Sequence, residues 1–207
     1  TTEFIIMGLL PDVAKDLGVS IPIAGHLISA YALAVVVGAP ILVALSSKFP
    51  PKNILIVYMI LFTLFNALSI VAPDYNTLLM SRFLAGLPHG AFFGVGTIVA
   101  IKLAKKGKEA QAVSSMFTGL TLAILLLVPL LTYIGHNTSY KWAFLIVSLL
   151  GIFTILALIK FMPKLKSLKT VTFKEEIEFF LTFKAWHIIL IVAIGFGGLF
   201  AWFSYIA

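Results

Sequence analysis

Glu3, Arg82 and His89 are ionisable side chains set inside long apolar stretches. A charge in such a place is costly, roughly 2.5–3.5 kcal/mol on insertion scales, and is therefore either paired or put to use. The chemistry open to these three is proton exchange and solute binding. A carboxyl takes up and releases a proton, a guanidinium holds an anion or biases a nearby carboxyl, and an imidazole relays a proton or hydrogen-bonds a solute. Glu3 lies eight residues before Pro11 and Arg82 seven after Tyr75. At ~1.5 Å per helical residue these are depths of about 12 Å and about 10 Å, so a pair is geometrically open. Two readings stand: an ion pair that fixes two helices together, or the charged floor of a polar cavity. For His89 the alternatives are a proton relay and a ring satisfied by a neighbour.

Gly86, His89, Gly90 and Phe93 follow Arg82 at helical spacings that place them on its face. Small residues there either let another helix approach closely or leave room for a ligand. Pro88 loosens the backbone nearby, and Pro40 and Pro129 do so in two other apolar stretches, as gating kinks would. Uncharged polar residues are scattered through the same stretches: Thr2, Ser29, Tyr31, Asn66, Thr97, Thr118, Thr121, Thr132 and Ser204. Each is able to line a cavity or to bond across helices, and sequence does not sort them. His26 and His187 fall near span ends and His136 in a loop. No pattern supports catalysis, a cofactor or a metal: there is no Gly-rich phosphate loop, no His pair at ligand spacing and no nucleophile with a base beside it. The absence of cysteine excludes disulfides and thiolate sites.

The elements that must position these residues are membrane spans. Of 207 residues 61% are hydrophobic and 11% charged, with a mean hydropathy of +1.11, against about 45–50% and about 25% in soluble domains. Six stretches have the ~20 apolar residues a ~30 Å hydrocarbon core requires: 22–45, 54–72, 78–101, 112–134, 142–162 and 186–207. Ahead of them 1–10 reads as the outer half of a first helix. Short connections rich in Pro, Gly, Asp and Asn make neighbouring spans antiparallel. The net charge of +7 would suggest nucleic acid in a soluble chain, but here the charges crowd into alternate loops. Twelve of the fifteen basic residues fall in the loops around 48–52, 102–108 and 160–184, whereas Lys15 and Lys141 fall in the opposite set. The basic set is cytoplasmic by the positive-inside rule, so 11–21, 73–77 and 135–141 face outward. No nucleic acid partner is expected.

Residues 163–185 form the one long connection. Thr172 with Glu175 reads as a capping box, and Phe173, Ile177, Phe180 and Leu181 as one apolar helical face lying on the inner membrane surface beside Lys174 and Lys184. The expected organisation is a six-helix transmembrane half over 1–162, a cytoplasmic central loop with an amphipathic helix over 163–185, and the start of a second transmembrane half over 186–207. On this reading the chain is truncated at both ends.

Three runs resemble one family. Thr2-Glu3-Phe4, Gly8-Leu9-Leu10-Pro11 and Asp16-Leu17-Gly18-Val19-Ser20 look like the helix 1–2 signature of the drug:proton antiporter branch of the major facilitator superfamily. The run Arg82-Phe83-Leu84-Ala85-Gly86-Leu87-Pro88-His89-Gly90-Ala91-Phe92-Phe93-Gly94-Val95-Gly96 resembles the helix-four motif of its arabinose-efflux-permease-like members, and Tyr140-Lys141-Trp142-Ala143-Phe144 the start of their helix six. The resemblance implies an all-α integral membrane fold of twelve helices in two halves, of which this chain carries the N-terminal six and the start of the seventh. It implies a small solute (sugar, drug-like compound or metabolite) bound between the halves, protons as the coupling ion, and a bacterial inner membrane. Arg82 then occupies the basic position associated with proton transfer and Glu3 the acidic position of helix one. Ser47 stands where the family carries Asp in the loop after the second span, and Leu127 and Leu131 stand around Pro129 where it carries glycines. A facilitator or uptake carrier of the same fold and a membrane structural subunit that transports nothing are the competing functions.

Overall fold

The computed structural model describes residues 2–46, 48–167, 178 and 181–206, and among these every regular element is a helix. In chain order they are α1 (Thr2–Gly8), α2 (Leu10–Asp16), α3 (Ile21–Ser46), α4 (Pro51–Ile70), α5 (Tyr75–Leu103), α6 (Glu109–Leu122), α7 (Val128–Asn137), α8 (Tyr140–Phe161) and α9 (Phe183–Ile206), with a π turn at Ala123–Leu127 joining α6 to α7. Among the described residues, five runs have the length and apolar character of a membrane span: α3, α4, α5, α8 and the continuous stretch Glu109–Asn137. At 20 to 29 residues each they reach about 30–44 Å, enough to cross the hydrocarbon core. The proposed capping box and amphipathic helix of the central connection, with Thr172, Phe173, Lys174, Glu175, Ile177 and Phe180, lie outside the described residues.

The helix start and stop points follow local chemistry. Pro51 opens α4, where a missing N–H costs nothing. Asp74 caps α5, accepting from the Thr77 backbone N–H at 2.9 Å and the Thr77 hydroxyl at 3.0 Å. These bonds favour the ionised carboxylate and hold Asp74 below its ordinary pKa. Its contribution is therefore full above the unfolded-state value and is lost as pH falls through the lowered folded-state one. Asp74→Ala is expected to lower the thermal midpoint at neutral pH, and melting curves of the two proteins are expected to converge below about pH 4; a gap of constant size at every pH would mean that the cap does not act through its charge.

The first element departs from the sequence expectation. Pro11-Asp12 reads as a turn, yet the helical ladder runs on through it: Leu9 N–H donates to Ile5 O at 3.1 Å, Val13 to Leu9 at 3.0 Å and Leu17 to Val13 at 3.0 Å. Pro11 removes one donor and no more. The stop comes at Gly18, whose positive φ of 64° lets Val19 N–H reach Ala14 O at 3.0 Å and Gly18 N–H reach Lys15 O at 3.4 Å, a Schellman cap. In the Glu109–Asn137 span the backbone widens into the π turn just ahead of Pro129, where a proline ring would otherwise meet the carbonyl four residues back.

Packing orders the helices into a bundle. α5 lies along α3 on one side and α4 on the other, α4 also lies along α8, and α1 touches α3, α7 and α8. Two apolar clusters fill its ends. Ile5, Leu9, Leu27, Leu78, Leu131 and Phe144 make one, and Ile54, Leu55, Tyr58, Ala91, Val95 and Met162 the other. Large apolar side chains elsewhere point outward, with Val36 71% and Phe153 66% exposed, while Arg82 is 0% exposed. That inversion of the soluble pattern is what a lipid surround requires.

Contacts between loops sort the ends of the bundle. Lys52 Nζ donates to Ile159 O at 2.8 Å and Met162 O at 2.6 Å, so the start of α4 and the end of α8 share one end. At the other, His136 Nδ1 meets Asp12 Oδ2 at 2.6 Å and Tyr75 Oη donates to Ile23 O at 2.9 Å. The first end carries the lysine-rich loops, the end that the positive-inside rule expects in the cytoplasm. Lys105→Cys is accordingly expected to resist a membrane-impermeant thiol reagent applied to intact cells, and Lys141→Cys to react; reaction at position 105 would reverse the orientation.

Candidate functional site

Arg82 lies on the face of α5 that Leu78, Ala85 and Gly86 bury, a stripe at helical spacing. Its guanidinium thereby enters the space between α1, α3, α4 and α8. Nη1 donates to Thr2 Oγ1 at 2.8 Å and Nη2 to Thr2 O at 3.2 Å. Cζ stands 4.4 Å from the centre of the Tyr31 ring and 5.5 Å from that of Phe144, and Nε has no hydrogen-bond partner. Behind Thr2 the network continues: Thr2 Oγ1 donates to Asn66 Oδ1 at 2.6 Å, and Asn66 Nδ2 donates to Phe62 O at 2.8 Å. Ser69 and Ser81 join α4 to α5 beside it through a 2.8 Å hydroxyl pair.

The direct Glu3–Arg82 pair, one of the two readings open from the sequence, is not formed. No ion pair joins them among the described residues; the residue Arg82 grips is Thr2, one position before Glu3. Extending the first helix to Asp16 places Glu3 about 20 Å from that helix's end rather than about 12 Å. Glu3 is half-buried on α1 and near enough to Arg82 to feel its charge. Magnitudes explain how a cation persists here without a carboxylate against it. Hydrogen bonds from a charged donor are each worth about 1.5–3 kcal/mol and a desolvated cation–π contact about 2 kcal/mol. Together they match or exceed the ~2.5–3.5 kcal/mol of insertion.

His89 sits two turns further along α5. Its Nδ1 pairs with the Tyr31 hydroxyl and its ring stacks on Phe93 with centroids 5.3 Å apart. Tyr31 thus faces Arg82 with its ring and His89 with its oxygen. His89 also lines a cleft of about 460 Å³ whose walls include Thr2, Phe62, Phe92, Met116 and Thr154; neither Glu3 nor Arg82 is among its lining residues. The glycines face α3. A Cβ on Gly86 would stand 2.5 Å from Tyr31 O and 2.9 Å from Ala34 Cβ, and one on Gly90 would stand 2.8 Å from Ala39 Cβ. Of the two roles open to them, close helix packing is the one the geometry contains. Pro88 is buried inside an unbroken α5.

Sequence reasoning named Tyr31 and Asn66 only as members of an unsorted set, Thr2 there and in a family motif, and Phe144 only in a family motif, and it passed over Ser69 and Ser81. Thr97, Thr118 and Thr121, of that same set, bond back to carbonyls four residues earlier in their own helices.

Known proteins match the whole chain. The family model described as Major Facilitator Superfamily covers residues 1–207. The inner membrane transport protein YdhP of Escherichia coli K12 is 42% identical over 207 residues, which are 100% of this chain and 53% of YdhP. AraJ of the same strain is 40% identical over 204 residues, 99% of this chain and 52% of AraJ. The MFS-type transporter YtbD of Bacillus subtilis 168 is 35% identical over 208 residues, 100% of this chain and 52% of YtbD. The chain spans about half the length of these relatives.

Proposed function

The chain belongs to the Major Facilitator Superfamily, and on that premise we propose that it forms the solute- and proton-handling part of a secondary transporter in a bacterial inner membrane, one that exports a small solute in exchange for protons by alternating access. The observation that carries this reading is Arg82, a cation with 0% exposure whose contacts are all neutral, with the Glu3 carboxyl one residue from its main partner. A cation that is already held leaves a nearby carboxyl able to exist as acid or anion. Moving the guanidinium toward Glu3 favours the anion and proton release; returning it to Thr2 favours proton uptake. Two arrangements of one cation then couple protonation to the side from which the site is reached. The solute is a sugar, a drug-like compound or a metabolite, and the partners this implies are the lipid bilayer, protons and the remaining half of the same fold. Glu3→Gln in the intact protein tests the reading: gradient-driven transport in vesicles is expected to vanish while downhill exchange persists.

A further inference from the structure

We infer that Asn66 is a positioning residue for proton coupling, acting through Thr2 to hold the Arg82 guanidinium away from Glu3. The inference rests on the proposed role of Glu3 and Arg82 and adds the element that sets their separation. Its argument is one of hydrogen-bond direction. Phe62 O only accepts, so the Asn66 side chain must turn its Nδ2 toward it, at 2.8 Å. Oδ1 is then the atom that faces Thr2, and it too only accepts. The single proton of the Thr2 hydroxyl is committed to it at 2.6 Å, which leaves a lone pair of Oγ1 for Arg82 Nη1 at 2.8 Å. A backbone carbonyl of α4 thus fixes an amide, the amide fixes a hydroxyl on α1, and the hydroxyl presents an acceptor to a cation on α5. Asn66, Thr2 and Arg82 are 0%, 1% and 0% exposed.

The titratable groups gathered at this point are Glu3 on α1, Tyr31 on α3, and Arg82 and His89 on α5. Those that α4 and α8 add to the cluster, Asn66 and Phe144, do not titrate. Arg82 acts on Glu3, Tyr31 and His89 alike through its charge, and Glu3 is the member of the cluster to which the proposed function gives the proton. Removing the Thr2 hydroxyl leaves Nη1 without its acceptor while Nη2 keeps Thr2 O; the guanidinium then turns toward Glu3, which favours the anion and makes proton uptake require a lower pH.

Thr2→Val, which keeps the shape and deletes the hydroxyl, tests this in the intact protein reconstituted in vesicles, beside Thr2→Ser and Asn66→Ala. Each is measured for transport as a function of pH and for thermal midpoint. Thr2→Val and Asn66→Ala are expected to move the pH of half-maximal transport about one unit to lower pH, a tenfold change in proton affinity, and Thr2→Ser to restore the wild-type profile. Lower thermal midpoints with pH profiles unmoved would reduce Asn66 and Thr2 to packing residues and overturn the inference. Should Asn66→Ala not fold, the near-isosteric Thr2→Val with its Thr2→Ser rescue decides alone. The proposed role of Glu3 fails separately: Glu3→Gln retaining gradient-driven transport would remove it, whereas loss of coupling in Glu3→Gln with an unmoved Thr2→Val profile would remove only the role of Asn66.

Discussion

Gly86→Ala is expected to produce a protein that inserts in the membrane, melts several degrees below the wild type and transports at background rate, while Gly94→Ala on the same helix matches or exceeds the wild type in stability. Alanine is the better helix former by about 1 kcal/mol, so propensity alone would make both substitutions favourable. Space decides otherwise at position 86. The added Cβ would lie 2.5 Å from the backbone oxygen of Tyr31 and 2.9 Å from Ala34 Cβ, whereas at Gly94 the nearest atom is 3.9 Å away. A backbone atom cannot rotate aside, so α3 and α5 must separate, and overpacking of this kind costs about 1–3 kcal/mol. For a chain of this size each kcal/mol lowers the midpoint by about 2–4 °C. Transport suffers more than stability because the displaced residue is Tyr31, whose ring lies 4.4 Å from the Arg82 charge and whose hydroxyl holds His89. Gly90→Leu presses on Ala39 and Val35 of the same interface and is expected to follow Gly86→Ala in direction. Thermal denaturation and vesicle transport of the purified variants measure both effects. A Gly86→Ala protein with wild-type melting and transport would mean that α3 and α5 do not meet at this position.

Glu3→Gln carries the second large effect, complete loss of solute movement driven by a pH gradient. Glutamine keeps the length and polarity of the side chain but has no proton to exchange at any working pH. Binding of the solute and its exchange down a concentration gradient need the shape of the site and not the proton, so these are expected to survive in part. Arg82 remains covered in the variant, since Thr2 and the Tyr31 ring, not Glu3, are its contacts, and for this reason the substitution is not expected to unfold the bundle. Were Glu3 an indispensable counter-ion instead, the variant would leave an uncompensated buried charge and lose several kcal/mol of stability. Melting therefore separates the two roles. Gradient-driven transport at the wild-type rate would eliminate Glu3 as the proton carrier, and a collapse of stability together with transport would make it a structural partner of Arg82.

The spans themselves were legible from residue types. Lipid burial depends on contiguous composition, and the apolar runs at 22–45, 54–72, 78–101, 112–134 and 142–162 reappear as α3, α4, α5, the α6–α7 stretch and α8 with ends shifted by one to three residues. The two ends of the bundle were legible too, because the lysines mark them. The family followed from the motif that begins at Arg82. Local backbone chemistry was less so: Pro11 carries the signal of a turn, but the bonds on either side of it hold and the helix stops only where Gly18 permits a left-handed residue. What only the tertiary structure decided is which polar side chains meet. Thr2 and Asn66 are 64 positions apart and Thr2 and Arg82 80, and Thr2 does not differ in type from Thr97 or Thr118, which satisfy themselves on their own helices. In a soluble helix the apolar stripe would have told which face turns inward. A helix in lipid is apolar all round, so its sequence fixes that it spans without fixing which way it faces, and the partner of Arg82 is set by the packing of α1, α3 and α4 around α5.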